Sequence, residues 1–596
     1  MHKKIRGLLV SIGIISLWGN VYGTEVTREK RLYPARQNIT ATSMFGYVDE
    51  TGVWQVEPSY DIVYPFQEGY GIVAKEDKYG AFNEKGVLVI PLIYENLHSF
   101  EGEYAIFRDE QGMGLLNQEG EKLTKGPYDF IENYHFERAV VGKIDEGEWR
   151  YGYIDKNGDE IISLNYKKAD SFDDELALVQ NTQGDYQLID LKGVVQHTFK
   201  NEEILGYQEG LVMYQEPVGG LVGYMDTKGE VMIPPRYEWA MPFQEGVAIV
   251  GATPDSDARK GLINTSGELI YPIVYNDIEY LGEERVALGR AIDPEAPYKG
   301  SIYALGDLKG NKLTEDKFYR IAPYQEGIAS VSDGTDTYFM DTSGELANGF
   351  YKVPGIGHLN QQGPLIQSTI DYVTYYNNGK GMLVYAPASD VVLEGDRKLI
   401  AAKYKPNQRY IVYYPQVEGL EDKVTMERIN HYFKTQVWNE GISSEEELDF
   451  NYYSNFEKLF YKKDLLSLKE RATIFYFGAA HPTTSYQTTH VNLATGELYQ
   501  LEDLFKDKSN WQEIVQKEIQ KQAQQTPYKE ILLVAPETIQ VNGEQNFYVD
   551  ETSLSVLYEP YEIGPYAAGE ISFQIPYTVL EAVIDTQKSL WQSFHN

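Results

Sequence analysis

Short runs in which apolar and polar residues alternate recur along residues 46–344, each cut off by a turn rich in Gly and Asp or Asn. Alternation with period two predicts strands with one buried face, and the regular punctuation predicts hairpins. The turn reads Gly-x-apolar-Asp/Asn-x-x-Gly. It occurs as Gly46-Tyr47-Val48-Asp49 to Gly52, Gly80-Ala81-Phe82-Asn83 to Gly86, Gly114-Leu115-Leu116-Asn117 to Gly120, Gly152-Tyr153-Ile154-Asp155 to Gly158, Gly223-Tyr224-Met225-Asp226 to Gly229 and Gly261-Leu262-Ile263-Asn264 to Gly267. Asp190 to Gly193, Asp307 to Gly310 and Asp341 to Gly344 keep the turn alone, which makes nine units with a period of about 35 residues. The Asp or Asn side chain caps the backbone two residues on, and the closing Gly supplies a left-handed backbone angle. A second half follows each turn: Tyr237, Phe243-Gln244-Glu245-Gly246, Ala248 and Val250 are echoed by Tyr60 and Phe66 to Gly69, and by Tyr319, Tyr324 to Gly327, Ala329 and Val331. One hairpin cannot bury its apolar face alone, so neighbouring units must share it. Residues 44–345 are therefore expected to form a mainly β repeat array, superhelical or propeller-like.

These residues resemble the bacterial WG-repeat family over about 44–345. The family's Trp-Gly or Tyr-Gly pair stands here as Tyr79-Gly80 and Tyr151-Gly152, and as Gly alone elsewhere. The resemblance implies a β-rich binding or spacer module.

After Gly344 the period lapses. Residues 346–395 are rich in Gly, Asn and Tyr and are expected to be a connecting region with some strand, including Ile370 to Tyr376. A second domain is predicted over 396–596. It opens on an edge strand from Tyr410 to Leu420 that contains Pro415. A helix follows with apolar positions Met426, Ile429, Phe433 and Val437, and then a strand from Ala472 to Phe477. Thr488 to Asn492 and Leu498 to Leu501 flank the turn Ala494-Thr495-Gly496-Glu497, a hairpin signal. Ser509-Asn510-Trp511-Gln512 suggests a capping box before a second helix with the stripe Trp511, Ile514, Val515 and Ile519. In two closing strands Leu554, Val556 and Tyr558 share one face and Ile571, Phe573 and Ile575 another. The expected class is α+β, two helices on an antiparallel sheet.

Several groups in this half carry a second resemblance: Tyr414-Pro415-Gln416-Val417 with Ile429-Asn430, Gly478-x-x-His481-Pro482, Asn492-Leu493-x-x-Gly496 with Leu501-x-Asp503-Leu504-Phe505, and Tyr561-x-Ile563-x-x-Tyr566-x-x-Gly569. Over about 398–585 they look like the domain shared by the RsiV-type anti-sigma ectodomain and the non-catalytic part of PdaC-type peptidoglycan deacetylases. In the first the module recognises lysozyme, and in the second it accompanies a deacetylase domain. Neither the anti-sigma segment nor a deacetylase domain is visible here. The resemblance therefore implies recognition of a lysozyme-like or wall-associated partner without saying what that recognition switches.

Composition adds a compartment. Lys3, Lys4 and Arg6 precede an apolar run from Gly7 to Trp18, and Val21 and Gly23 fit the −3 and −1 positions of a cleavage site. Residues 1–23 read as a secretory signal peptide and 24–43 as a linker, with an uncleaved anchor as the alternative. The run is too short for a spanning helix, and no comparable stretch follows. The destination expected is the medium or the cell surface. There is no Cys, which excludes disulfides, thiolate metal sites and a lipidated Cys. The formal net charge is −36, and losing three cations with the leader takes it to −39. Such acidity argues against nucleic acid and favours either plain solvation or a cationic partner such as lysozyme or a wall polymer.

Candidate chemistry is sparse. The sequence shows no Gly-x-Ser-x-Gly elbow, His-Glu-x-x-His helix or phosphate-binding Gly-rich loop, and Asp155-x-Asn157-Gly158-Asp159 reads as a turn, not a calcium loop. His481 and His490 lack a carboxylate at ligand spacing, so no metal and no cofactor is expected. No catalytic residue is assigned. The binding candidates are Tyr561 and Tyr566, aromatic anchors in a loop, with His481 beside them in the resemblance. The reading is a non-catalytic binding protein of the cell envelope. A wall-glycan-modifying enzyme and a passive surface spacer stand as alternatives.

Overall fold

The computed structural model describes residues 31–596 except 174, 201–202, 217–218, 253–258, 438–441, 445–447 and 596. The leader expected over 1–23 lies outside the described residues. Ten small antiparallel sheets follow one another along the chain, at 33–60, 62–94, 96–117, 130–166, 168–199, 203–237, 239–275, 277–307, 320–354 and 357–385. We call them blades. Each adjacent pair encloses its own apolar cluster. Tyr47 and Val56 meet Val73 and Phe82 between the first two, Tyr224 and Ile233 meet Phe243 and Val250 between the sixth and seventh, and Phe339 and Val353 meet Leu359 and Ile366 between the last two. One further cluster joins the tenth blade to the first, through Leu365 and Tyr376 against Tyr33, Ala35 and Val48. The array is thus a closed ring, as in a propeller, and has no exposed end sheet.

The repeated residues do definable work in each blade. At the Asp226 turn the carboxylate accepts the N–H groups of Lys228 at 2.9 Å and Glu230 at 2.8 Å, while Gly229 takes φ 84°. The Gly of the Tyr-Gly pair answers a different need. A Cβ at Gly80 would lie 2.5 Å from the carbonyl oxygen of Ile90 on the next strand, so the third and fourth strands could not approach around any other residue. The Phe-Gln-Glu-Gly echo is tied to the preceding blade through its backbone: the Glu209 carboxylate accepts the N–H of Glu245 at 2.5 Å and of Gly246 at 2.8 Å one blade on. Glu283 does the same for Gly327 at 3.0 Å.

Two boundaries differ from expectation. Residues 24–43 are not all linker, because Tyr33–Arg36 is the first strand of the ring and pairs with Phe45–Val48. Residues 346–395 are not merely connecting: they hold the end of the ninth blade and the whole of the tenth. The tenth blade also has the repeat turn, since Asn378 Oδ1 accepts Lys380 N at 2.9 Å and Met382 N at 3.1 Å.

The C-terminal domain is α+β, with two sheets in place of one. A seven-stranded sheet runs in sequence order from Asp390–Glu394 to Leu498–Tyr499. Tyr410–Glu418 is an interior strand of it, not an edge, and pairs in parallel with the strand Phe450–Lys462 over Tyr410 to Val412 only. Pro415 is tolerated because it lies beyond that pairing, where helix α1 (Lys423–Val437) covers the strand and Asn430 bonds both backbone groups of Val417. Ile429, Phe433 and Val437 are buried as their spacing requires. Helix α2 (Trp511–Ala523) packs Val515, Ile519 and Ala523 against Phe573 and Ile575 of the three-stranded second sheet. Its expected capping box is absent, because the Ser509 hydroxyl donates to Lys506 O at 2.7 Å. The reciprocal arrangement forms instead between Gln500 and Asp503.

Ring and domain are joined at the seam. Ile39 enters the core of the domain beside Leu399 and Phe456, and Asn455 Nδ2 donates to Ile39 O at 2.7 Å. From the tenth blade the two-residue turn Asp371-Tyr372 reaches the seven-stranded sheet. The Asp371 carboxylate, 5% exposed, meets Lys403 and also Lys405 at 2.7 Å, and Tyr372 lies over Tyr453 with ring centres 4.3 Å apart. Among the described residues no helix is long and apolar enough to cross a membrane.

Candidate functional site

The structure brings His481, Tyr561 and Tyr566 together, although two of them lie about 80 positions from the third. His481 sits in the loop between strands Leu465–Tyr476 and Thr483–Asn492. Tyr561 and Tyr566 sit in the loop after strand Ser553–Tyr558, which is pinned from beneath by buried Ile563 and by the bond from Tyr561 N to Gly564 O at 3.0 Å. The His481 ring stacks on Tyr566 at 4.7 Å and 29°, and the two tyrosine rings are 5.7 Å apart. His481 Nδ1 is 2.9 Å from Pro482 O, so Nδ1–H donates there and Nε2 accepts the Tyr561 hydroxyl at 3.2 Å. Tyr561 is 58% exposed, with φ 69°, so a rigid loop holds an aromatic face out to water.

The rim of this cluster is acidic. Glu559 accepts the N–H of Tyr486 at 3.1 Å, and Glu562 accepts that of Glu559 at 2.9 Å and the Gln545 side-chain amide at 3.3 Å, so the loop that carries the two tyrosines also carries two hydrogen-bonded carboxylates. Aromatic faces edged by carboxylates suit the side chain of Lys or Arg, which gains both a ring contact and an ion pair.

His490 is elsewhere. It is buried in its strand, 2.9 Å from Ser467 Oγ, with its ring 4.0 Å from that of Phe547 at a 34° tilt. Burial drives its pKa down to about 3, so the imidazole is neutral. The two histidines weighed as a metal pair therefore do not meet. Among the described residues no three His, Asp or Glu side chains converge to hold a metal ion. Sequence reasoning missed a cleft between ring and domain, lined in part by Arg320, Ser332, His358 and Tyr372. These residues occupy ordinary strand and turn positions, and no local motif marks them.

Family models match in both halves. The model described as WG containing repeat matches residues 45–79, 79–111, 151–183, 223–251 and 261–287, and the model described as Protein of unknown function (DUF3298) matches 502–578, which includes Tyr561 and Tyr566. No curated protein matches the chain. Among solved structures, a DUF3298 family member from Bacteroides fragilis is 17% identical, covers 34% of this chain and 97% of its own, and has a TM-score of 0.26. Another from Pseudomonas aeruginosa is 13% identical, with coverage of 32% and 96% and a TM-score of 0.26. BamB from Moraxella catarrhalis is 13% identical, with coverage of 48% and 94% and a TM-score of 0.25. The chain thus joins WG repeats, built into a closed ring, to a DUF3298 domain, the cell-envelope-associated family of PdaC- and RsiV-like domains.

Proposed function

We propose that this chain is an exported, non-catalytic binding protein of the cell envelope, in which the ring is a scaffold and the C-terminal domain captures a cationic, lysozyme-like protein. The observation that carries this reading is the outward-facing cluster of His481, Tyr561 and Tyr566, whose tyrosines share a loop with Glu559 and Glu562. Three further features support it: the leader-like pattern of residues 1–23, the net charge of −36, and an excess of about ten acidic over basic residues between 396 and 596. Charge steers a basic partner toward the domain, and the aromatic faces supply contacts that salt does not screen.

The test is a titration of the full chain with lysozyme at low and at physiological salt, for the wild type, Tyr561→Ala and Tyr566→Ala. Each variant is expected to weaken binding by about 1 kcal/mol or more at either salt. Binding that vanishes at physiological salt, or that is the same for all three proteins, would sink the reading.

A further inference from the structure

Where the turn Asp371-Tyr372 meets the seven-stranded sheet, ring and domain enclose a cleft of about 620 Å³. That volume lies within the usual range for a small-molecule site, roughly 300–1,000 Å³. Its charges are unevenly committed. Lys299 is bound by Asp293 at 3.2 Å and Asp449 at 3.1 Å. Arg409 donates to Leu448 O at 2.8 Å and lies over Phe477 at 4.5 Å, and Asp371 is neutralised by Lys403 and Lys405. The Arg320 side chain is exposed and makes no ion pair or hydrogen bond among the described residues, so it is free to take a ligand's charge. Ser332 is its cross-strand partner, so both side chains leave the ninth blade on one face. The Ser332 hydroxyl is 1% exposed and has no hydrogen-bond partner. A buried hydroxyl without a partner is unfavourable, so a ligand group that engages it from the cleft is favoured. His358, half-buried on the tenth blade, lines the same space, held neutral by burial and by the charge of Arg320.

We propose that this cleft binds a small sugar acid, its carboxylate on Arg320 and Ser332 and its ring against Tyr319 and Tyr372. Arg320 offers a planar two-pronged donor for a carboxylate, and the adjacent serine and imidazole add short-range donors. The tyrosines, 44% and 56% exposed, present faces to a ring-shaped body. Asn451, whose side chain makes no hydrogen bond among the described residues, also lines the cleft and favours a polyhydroxylated body over an apolar ring.

The experiment is calorimetric titration of the full chain with D-glucuronate, D-glucose and benzoate, which separate the carboxylate from the hydroxylated ring. Glucuronate is expected to bind roughly tenfold tighter than either, since each probe lacks one of the two features recognised. Arg320→Gln should cost about tenfold in glucuronate affinity. Ser332→Ala should cost several-fold in affinity while the melting temperature holds or rises, because the hydroxyl removed is buried without a partner in the chain. Glucose binding equal to glucuronate, tighter binding of benzoate, no binding of glucuronate, or wild-type affinity in Arg320→Gln would each overturn the proposal.

Discussion

The hydroxyl of Tyr376 donates a hydrogen bond to Pro34 O at 2.8 Å, across 342 positions of sequence. Tyr385 repeats the gesture to Arg36 O at 2.7 Å. Inside the ring, neighbouring blades are tied in the same way: Tyr153 bonds Asp170 O at 2.8 Å and Tyr224 bonds Met241 O at 2.6 Å. The seam therefore uses the same kind of contact as several junctions inside the ring.

Tyr376→Phe removes one such bond, leaves a carbonyl unpaired at a part-buried site and keeps the ring volume. The expected loss is about 1–2 kcal/mol in a thermal melt, close to that of Tyr224→Phe. Only the seam variant should speed amide exchange in Tyr33–Arg36, and equal exchange in both variants would show that the first blade does not depend on the seam.

Glycine substitutions should rank by what the new Cβ meets. Gly52 has φ 82° and its Cβ would stand 2.3 Å from Val384 O, a backbone atom of the tenth blade, whereas Gly102 has φ 64° and open space around it. Gly102→Ala is expected to cost about 1 kcal/mol, the ordinary strain of a left-handed alanine. Gly52→Ala adds a backbone clash and should cost about 3 kcal/mol or more, with Gly229→Ala between them because only the His197 side chain, at 3.2 Å, must give way. Melting curves of the three variants decide the order.

The Asp226 turn carries a pH dependence of known sign. The Glu230 N–H, with the N–H and charge of Lys228 and the nearby His197, holds the carboxyl below its ordinary 3.8 against the opposing effect of burial. A depressed folded value means that the stabilisation is complete above the unfolded value and is lost as pH falls through the folded one. Asp226→Asn keeps the turn, as Asn83 and Asn264 do in their own blades. The wild type should therefore melt above this variant at about pH 5, and the gap should shrink as pH falls below 3.8. A gap that widens on acidification would reverse the assignment.

Glu209 reaches across to the next blade. Glu209→Ala strips the N–H groups of Glu245 and Gly246 of their acceptor. Because the site is exposed, water replaces part of what is lost, and the cost should be about 0.5–1.5 kcal/mol. Exchange of those two amides is the direct readout, and unchanged protection would mean that the carboxylate is not their partner in solution.

Nine repeat turns could be read from the sequence because each demands an Asp or Asn acceptor and a glycine at a left-handed angle, and few residue types satisfy both. The tenth has the same Asn378-x-x-Gly381 cap, but it stands in a stretch of tyrosines and asparagines without the Phe-Gln-Glu-Gly echo, and its period faded there. The seam was out of reach, since nothing local to Tyr33 says that it will meet Tyr376. The candidate site divides in the same way. His481, Tyr561 and Tyr566 stood out separately, while their stacking depends on two loops placed side by side by a sheet whose register no short motif encodes. Arg320 and Ser332 looked like any polar residues in short strands until a second domain was laid over them.

An open array of repeats tolerates gene-level accidents well, because unequal recombination between similar segments only makes it a unit longer or shorter. This ring has no such freedom. With Tyr376 required to meet Pro34, a chain of nine or eleven blades would miss its own beginning. It would also separate the two pieces, Ile39 and Asp371, on which the C-terminal domain is seated. Length variation among descendants of this chain should therefore fall in the turns and between blades, and the blade number itself should behave as an inherited constant.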